Sequence, residues 1–103
     1  MNRPFLNIDS SGALLFDGLV AVCWFIHMKS DVINARVRNT APGQLYTFVF
    51  TQDAVGGHRM TWPTNCVNAA PIDPAPNATT VQSLIGDANG FLYANVAATG
   101  SAP

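Results

Sequence analysis

Glutamate is absent from the 103 residues, and Lys29 is the only lysine. Charged residues make up 11% of the chain, against about 25% in soluble domains. A net charge of −1 with no basic cluster leaves nothing to neutralise phosphates, which argues against nucleic acid as a partner. Cysteine is scarce too. Cys23 and Cys66 stand too far apart for a metal or redox motif. They read as buried free thiols, with a disulfide as the alternative, which would imply an oxidising compartment. Long apolar runs are also missing. Asp17 and Gly18 interrupt the stretch from Leu14 to Met28, and its unbroken part, Leu19 to Ile26, falls short of the roughly 18 residues of a membrane span. His27-Met28-Lys29-Ser30-Asp31 follow in place of a small-residue cleavage site, so neither leader nor anchor is expected.

Asn, Thr, Ser and Ala fill the polar positions beside 49% apolar residues. A neutral surface of this kind suits a protein covered by neighbours, because interface cores are depleted in charge. The length holds one domain, which buries roughly two-thirds of its unfolded surface. Turn signals recur along the chain without sustained helical periodicity. The pattern predicts an all-β fold: a single antiparallel β-sandwich, jelly-roll-like, over residues 1–103, with 97–103 a loose or docked tail.

Strands are expected at Phe5–Asp9, Ala13–Phe16, Leu19–Met28 and Asn34–Asn39. Asp17-Gly18 is read as the hairpin turn between the second and third. A buried helix over 13–28 competes with the third strand, but the Asp-Gly pair and the β-branched and aromatic residues favour strand. Further along, Ala41-Pro42-Gly43 makes a type II turn. Tyr46, Phe48 and Phe50 alternate with Thr47, Val49 and Thr51, Gly56-Gly57 supply unusual dihedrals, and His58–Trp62 returns until Pro63 ends the pairing. Thr79–Ile85 and Phe91–Val96 form a last hairpin around Asp87-Ala88-Asn89-Gly90.

Both faces of Leu19–Met28 are apolar. Val20, Val22, Trp24, Ile26 and Met28 point one way, and Leu19, Ala21, Cys23 and Phe25 the other. One face meets the core, so the second needs a loop or another subunit over it, and the size of the chain favours the subunit. Arg36 and Arg38 share a strand face. They are read either as solvated or as pairing carboxylates of a neighbouring subunit.

Pro42-Gly43-Gln44, then Tyr46-Thr47-Phe48-Val49-Phe50-Thr51-Gln52-Asp53, Gly56-Gly57 and Thr61-Trp62-Pro63-Thr64-Asn65 resemble a module common in structural proteins of tailed bacteriophages. In that module the strand pair reads PGQxYTFxxxQDxxGGxxxTWPxN. Pro74–Gln82 and then Asp87-Ala88-Asn89-Gly90-Phe91-Leu92-Tyr93 fill its later slots, so the resemblance covers Pro42 to Tyr93. It implies a virion structural protein of tail-fibre or head-associated type. No stalk, coiled coil or collagen-like repeat precedes the module, which favours a head decoration or cement protein or a small accessory subunit. The other reading is a receptor-binding tip of a tail fibre that recognises host surface glycan.

The expected partners are other copies of the chain, as a trimer, and other virion proteins, through Leu19, Ala21, Cys23, Phe25, Arg36 and Arg38. Tyr93, Asn89 and Asn95 are the expected glycan contacts. No enzymatic activity is expected. Asp53 and His58 flank one loop but lack a nucleophile in a recognisable elbow, and Asp53 with Asp87 is a pair of ordinary turn aspartates. No cofactor or metal is expected either, since His27, His58, Cys23 and Cys66 contain no local ligand pair. The sequon Asn77-Ala78-Thr79 carries no weight in a phage product.

Overall fold

The chain winds alternately through two sheets in the computed structural model, which describes residues 4–94. Its strands are β1 (Phe5–Asp9), β2 (Ala13–Asp17), β3 (Cys23–Met28), β4 (Asn34–Arg38), β5 (Leu45–Gln52), β6 (Cys66–Val67), β7 (Thr79–Gly86) and β8 (Leu92–Ala94). No helix occurs among the described residues, and the fold is all-β. One sheet has six strands in the order β1-β3-β5-β7-β8-β6, and the other pairs β2 with β4.

The pairing is mixed, not antiparallel as expected. β1–β3, β3–β5, β2–β4 and β6–β8 run parallel, while β5–β7 and β7–β8 run antiparallel. The reason lies in the winding. Strands β1 to β5 alternate between the sheets, so neighbours within a sheet are one full turn of chain apart and run the same way.

Asp17-Gly18 is therefore a corner between sheets and not a hairpin turn. The Asp17 carboxylate accepts the Leu19 N–H at 2.9 Å and the Asn39 side-chain amide at 3.0 Å. Gly18 donates its N–H to the Arg38 carbonyl at 2.8 Å, so close that a β-carbon would lie 2.6 Å from the Asn39 carbonyl oxygen. The segment from Leu19 is bent into the corner, and the strand begins only at Cys23.

The expected return of His58–Trp62 along β5 is also replaced. Both edges of β5 are occupied by β3 and β7, so the returning segment meets Val32 in a single parallel bridge at Met60. Trp62 lies across the inner face, edge-on to Phe48 and Phe50 at 5.3 and 5.5 Å, and its indole N–H donates to the Ala70 carbonyl at 2.9 Å. The β7–β8 hairpin forms as expected, with β8 at Leu92–Ala94; the end of the anticipated Phe91–Val96 strand lies outside the described residues.

One core fills the space between the layers. Phe16, Ala35 and Val37 from the small sheet face Trp24, Ile26, Tyr46, Phe48, Phe50 and Leu84 from the large one. Met60, Trp62 and Ile72 cover the rest of that inner face. Among the described residues the first turn of the winding is left open. Leu6 and Trp24 are register partners pointing inward, yet Leu6 is 39% exposed and Trp24 1%.

Candidate functional site

The interface residues expected from sequence do not share a surface. Cys23 and Phe25 lie on the outer face of the six-stranded sheet. Arg36 and Arg38 are exposed on the opposite side of the sandwich, on the outer face of the small sheet. Leu19 is exposed at the corner. Ala21 is buried at 1% exposure and cannot be a surface contact, because the corner turns it under the sheet where strand alternation would have pointed it out. Both cysteines are free. Cys66 is buried, and burial pushes its thiol up to about 12; Cys23 is half-buried on the outer face.

Register across the large sheet brings together residues that the sequence reading left apart. Phe25, Val49 and Val81 form one outward row, and Leu45, Ile85 and Tyr93 another. A hollow of about 220 Å³ lies at the edge of these rows, lined by Val22, Cys23, Gln44, Leu45 and Thr47. Val49 and Val81 escaped the sequence reading because β5 reads as a half-buried strand with threonines alternating and β7 only as one arm of the last hairpin. The signal was present all the same, since β5 and β7 carry apolar residues at outward positions.

The two turns rich in polar groups are bound up internally. In the 53–58 loop, Asp53 Oδ1 accepts the N–H groups of Val55 at 3.1 Å and Gly56 at 2.9 Å and meets the His58 ring at 3.1 Å. The Gly56 N–H, reinforced by the His58 ring, holds the Asp53 carboxyl below the ordinary carboxylate range. Asp53 and His58 thus do come together, in the service of the loop. Gln52 completes it from below: its side chain is buried and bonds the His58 backbone twice, donating to the carbonyl at 2.7 Å and accepting the N–H at 3.2 Å. Replacing Gln52 with Leu would leave both backbone groups unpaired. It is expected to cost about 1–3 kcal/mol, read as a lower urea midpoint.

At the β7–β8 turn, Asp87 Oδ1 accepts the N–H groups of Asn89 at 2.8 Å and Phe91 at 3.0 Å, and Oδ2 accepts the Tyr93 hydroxyl at 3.0 Å. Loss of solvent works to raise the Asp87 carboxyl, but these donors outweigh it and hold the group low. The same bond to Asp87 raises the Tyr93 hydroxyl. Asn89 and Tyr93 therefore sit on one turn, with the half-exposed Phe91 beside them, while Asn95 lies outside the described residues. Asn65 anchors this turn to the small sheet, donating to the carbonyls of Val37 at 3.2 Å and Gly90 at 3.0 Å.

Among the described residues no three His, Cys, Asp or Glu side chains cluster closely enough to hold a metal. The residues of the PGQ…TWPxN pattern serve the architecture: Gly43 takes a left-handed φ of 78° in its turn, Gln52 and Asp53 close the loop, and Trp62 caps the core.

Residues 21–90 match a family model described as "Putative phage tail fibre C-terminal domain". Searches of curated proteins and of solved structures find no match. The matched span covers β3 to the β7–β8 turn, which is about two-thirds of the chain. The chain therefore belongs to the phage tail fibre C-terminal domain family and is a virion-associated structural protein of a bacteriophage.

Proposed function

We propose that the chain forms the host-facing end of a tail fibre and that its β7–β8 turn contacts a host surface glycan. The observation that carries this reading is the match of residues 21–90 to a tail fibre C-terminal domain. The turn supplies suitable chemistry: the rings of Phe91 and Tyr93 are partly exposed, with the Asn89 amide and the Asp87 carboxylate beside them. Sugars offer apolar faces to such rings and hydroxyls to such polar groups. The action is binding, with no chemical step and no cofactor, and Asp53 and His58 serve as loop ties. The tail-fibre match favours this reading over the head-decoration expectation.

The test is adsorption. Purified protein is expected to label cells of the phage's host and, when added first, to slow phage adsorption. Asn89→Ala and Tyr93→Ala should each weaken labelling at least fivefold. Protein that ignores host cells but raises the heat resistance of capsids lacking it would return the reading to head decoration.

A further inference from the structure

Nine asparagines occur in the chain, and only Asn89 is followed by glycine. The pair sits at the tip of the β7–β8 turn, where Ala88 and Asn89 are exposed. Two other asparagine side chains are held in place: Asn39 donates to the Asp17 carboxylate at 3.0 Å, and Asn65 to the Val37 and Gly90 carbonyls. The Asn89 carboxamide makes no hydrogen bond among the described residues, and only its backbone N–H is engaged, by Asp87. Gly90 takes a left-handed φ of 85°, and a β-carbon there would meet nothing within 4 Å.

We propose that Asn89 is a site of spontaneous deamidation, so that the tip of the turn converts with age from a neutral amide to a carboxylate. The chemistry needs only the two residues and water. The Gly90 amide nitrogen gives its proton to hydroxide and attacks Cγ of Asn89. A bond forms between that nitrogen and Cγ, and the Cγ–Nδ2 bond breaks. The departing nitrogen takes a proton from water and leaves as ammonia, which restores the hydroxide. The resulting five-membered imide then takes up one water. Cleavage of its bond to Cγ gives aspartate; cleavage of its bond to the backbone carbonyl carbon gives isoaspartate, with the main chain rerouted through the side chain. Water enters, ammonia leaves, and nothing is oxidised or reduced. The turn suits the attack in two ways. A side chain next to the attacking nitrogen would crowd it, and glycine has none. The unbonded carboxamide has no partner to give up before it turns toward that nitrogen. The Gly90 N–H leans on the Asp87 carboxylate, as do those of Asn89 and Phe91. These bonds lie at the surface, where water competes for them, so they delay the attack without preventing it. Isoaspartate adds a methylene to the main chain inside the loop that the 2.9 Å bond from the Asp87 N–H to the Phe91 carbonyl closes. The new carboxylate also stands two residues from Asp87, like charge beside like.

Peptide mass mapping of the full chain, kept folded for several weeks in warm neutral buffer, tests the proposal. Conversion is expected at residue 89 at least tenfold ahead of any other asparagine. Isoaspartate should be a product, read by labelling with isoaspartyl methyltransferase. Gly90→Ala is expected to slow the conversion at least tenfold. Should Gly90→Ala fail to fold, Asn89→Gln keeps the test, because its longer side chain must close a six-membered ring and the labelling should fall at least tenfold. A wild type unchanged at residue 89, other asparagines converting as fast, or a folded variant converting at the wild-type rate would each overturn the proposal. The readout is mass, so the result stands whether or not the β7–β8 turn binds glycan.

Discussion

Phe48→Ala is expected to destabilise the protein by about 3–5 kcal/mol, the range for emptying a buried phenylalanine site. Phe48 is fully buried on β5. Its ring stacks on Trp24 at 5.0 Å and meets Phe16 and Trp62 edge-on at 5.1 and 5.3 Å. Those three rings come from the large sheet, the small sheet and the covering loop, so one truncation loosens every layer at once. Bulky rings held on separate backbones cannot collapse fully into the void, which places the cost toward the upper end. Against a total stability of about 5–15 kcal/mol, the loss should lower the urea midpoint sharply with little change in slope. Val49→Ala, next in sequence but pointing outward, is the matched control and should cost much less under conditions that keep both variants monomeric. A Phe48→Ala loss below about 1.5 kcal/mol would mean that the core closes over the gap, contrary to the usual behaviour of close-packed interiors.

The second large effect is expected at Gly56, and Gly57 supplies the comparison. Both residues take left-handed backbone, with φ of 72° and 78°. A side chain in that conformation costs roughly 1–2 kcal/mol at either site. Their surroundings differ. A β-carbon at Gly56 would lie 2.8 Å from the Pro74 carbonyl oxygen and 2.8 Å from the Pro76 nitrogen, whereas one at Gly57 would meet nothing within 4 Å. The obstacles at Gly56 are backbone atoms of a proline-stiffened segment, which cannot rotate aside as a side chain would. Moving that segment also disturbs the 2.7 Å bond from the Gly57 N–H to the Pro74 carbonyl. Gly56→Ala should therefore lose about 1–3 kcal/mol more than Gly57→Ala, the usual cost of overpacking. Equal losses in urea unfolding would show that the 74–76 segment yields freely.

Much of the local structure was legible in the residues. Tyr46, Phe48 and Phe50 alternate with polar or smaller neighbours and are all buried. Ala35 and Val37 face inward while Arg36 and Arg38 face out. These outcomes depend only on the two-residue period of a strand and the cost of burying charge. The Gly43, Gly56 and Gly57 turns were legible for the same kind of reason, because a positive φ is a property of a single residue.

Apart from the β7–β8 hairpin, strand partners were not legible, and the misplaced surface followed from that. Asp17-Gly18 and Gly56-Gly57 both carry strong hairpin chemistry. Yet the first closes a corner against Arg38 and Asn39, and the second clears space for Pro74 and Pro76. A turn dipeptide specifies a change of direction; it does not specify which sheet receives the next strand. Reading Leu19–Met28 as one strand put Leu19 and Ala21 on a face with Phe25, whereas the corner exposes one and buries the other.

By itself the sequence determined strands β1, β2, β4, β5 and β7 to within a residue, which side chains of β4 and β5 point inward, and several of the turns, since these are interactions between near neighbours. It did not reveal β6 and read His58–Trp62 as a strand. Only the tertiary structure decided that β1 to β5 alternate between two sheets, and hence that Phe25, Val49 and Val81 form one row while Arg36 and Arg38 lie on the far side. Those placements depend on pairings between strands far apart in the chain, selected by how the Trp24, Phe48 and Phe16 rings pack together. No local pattern encodes that choice.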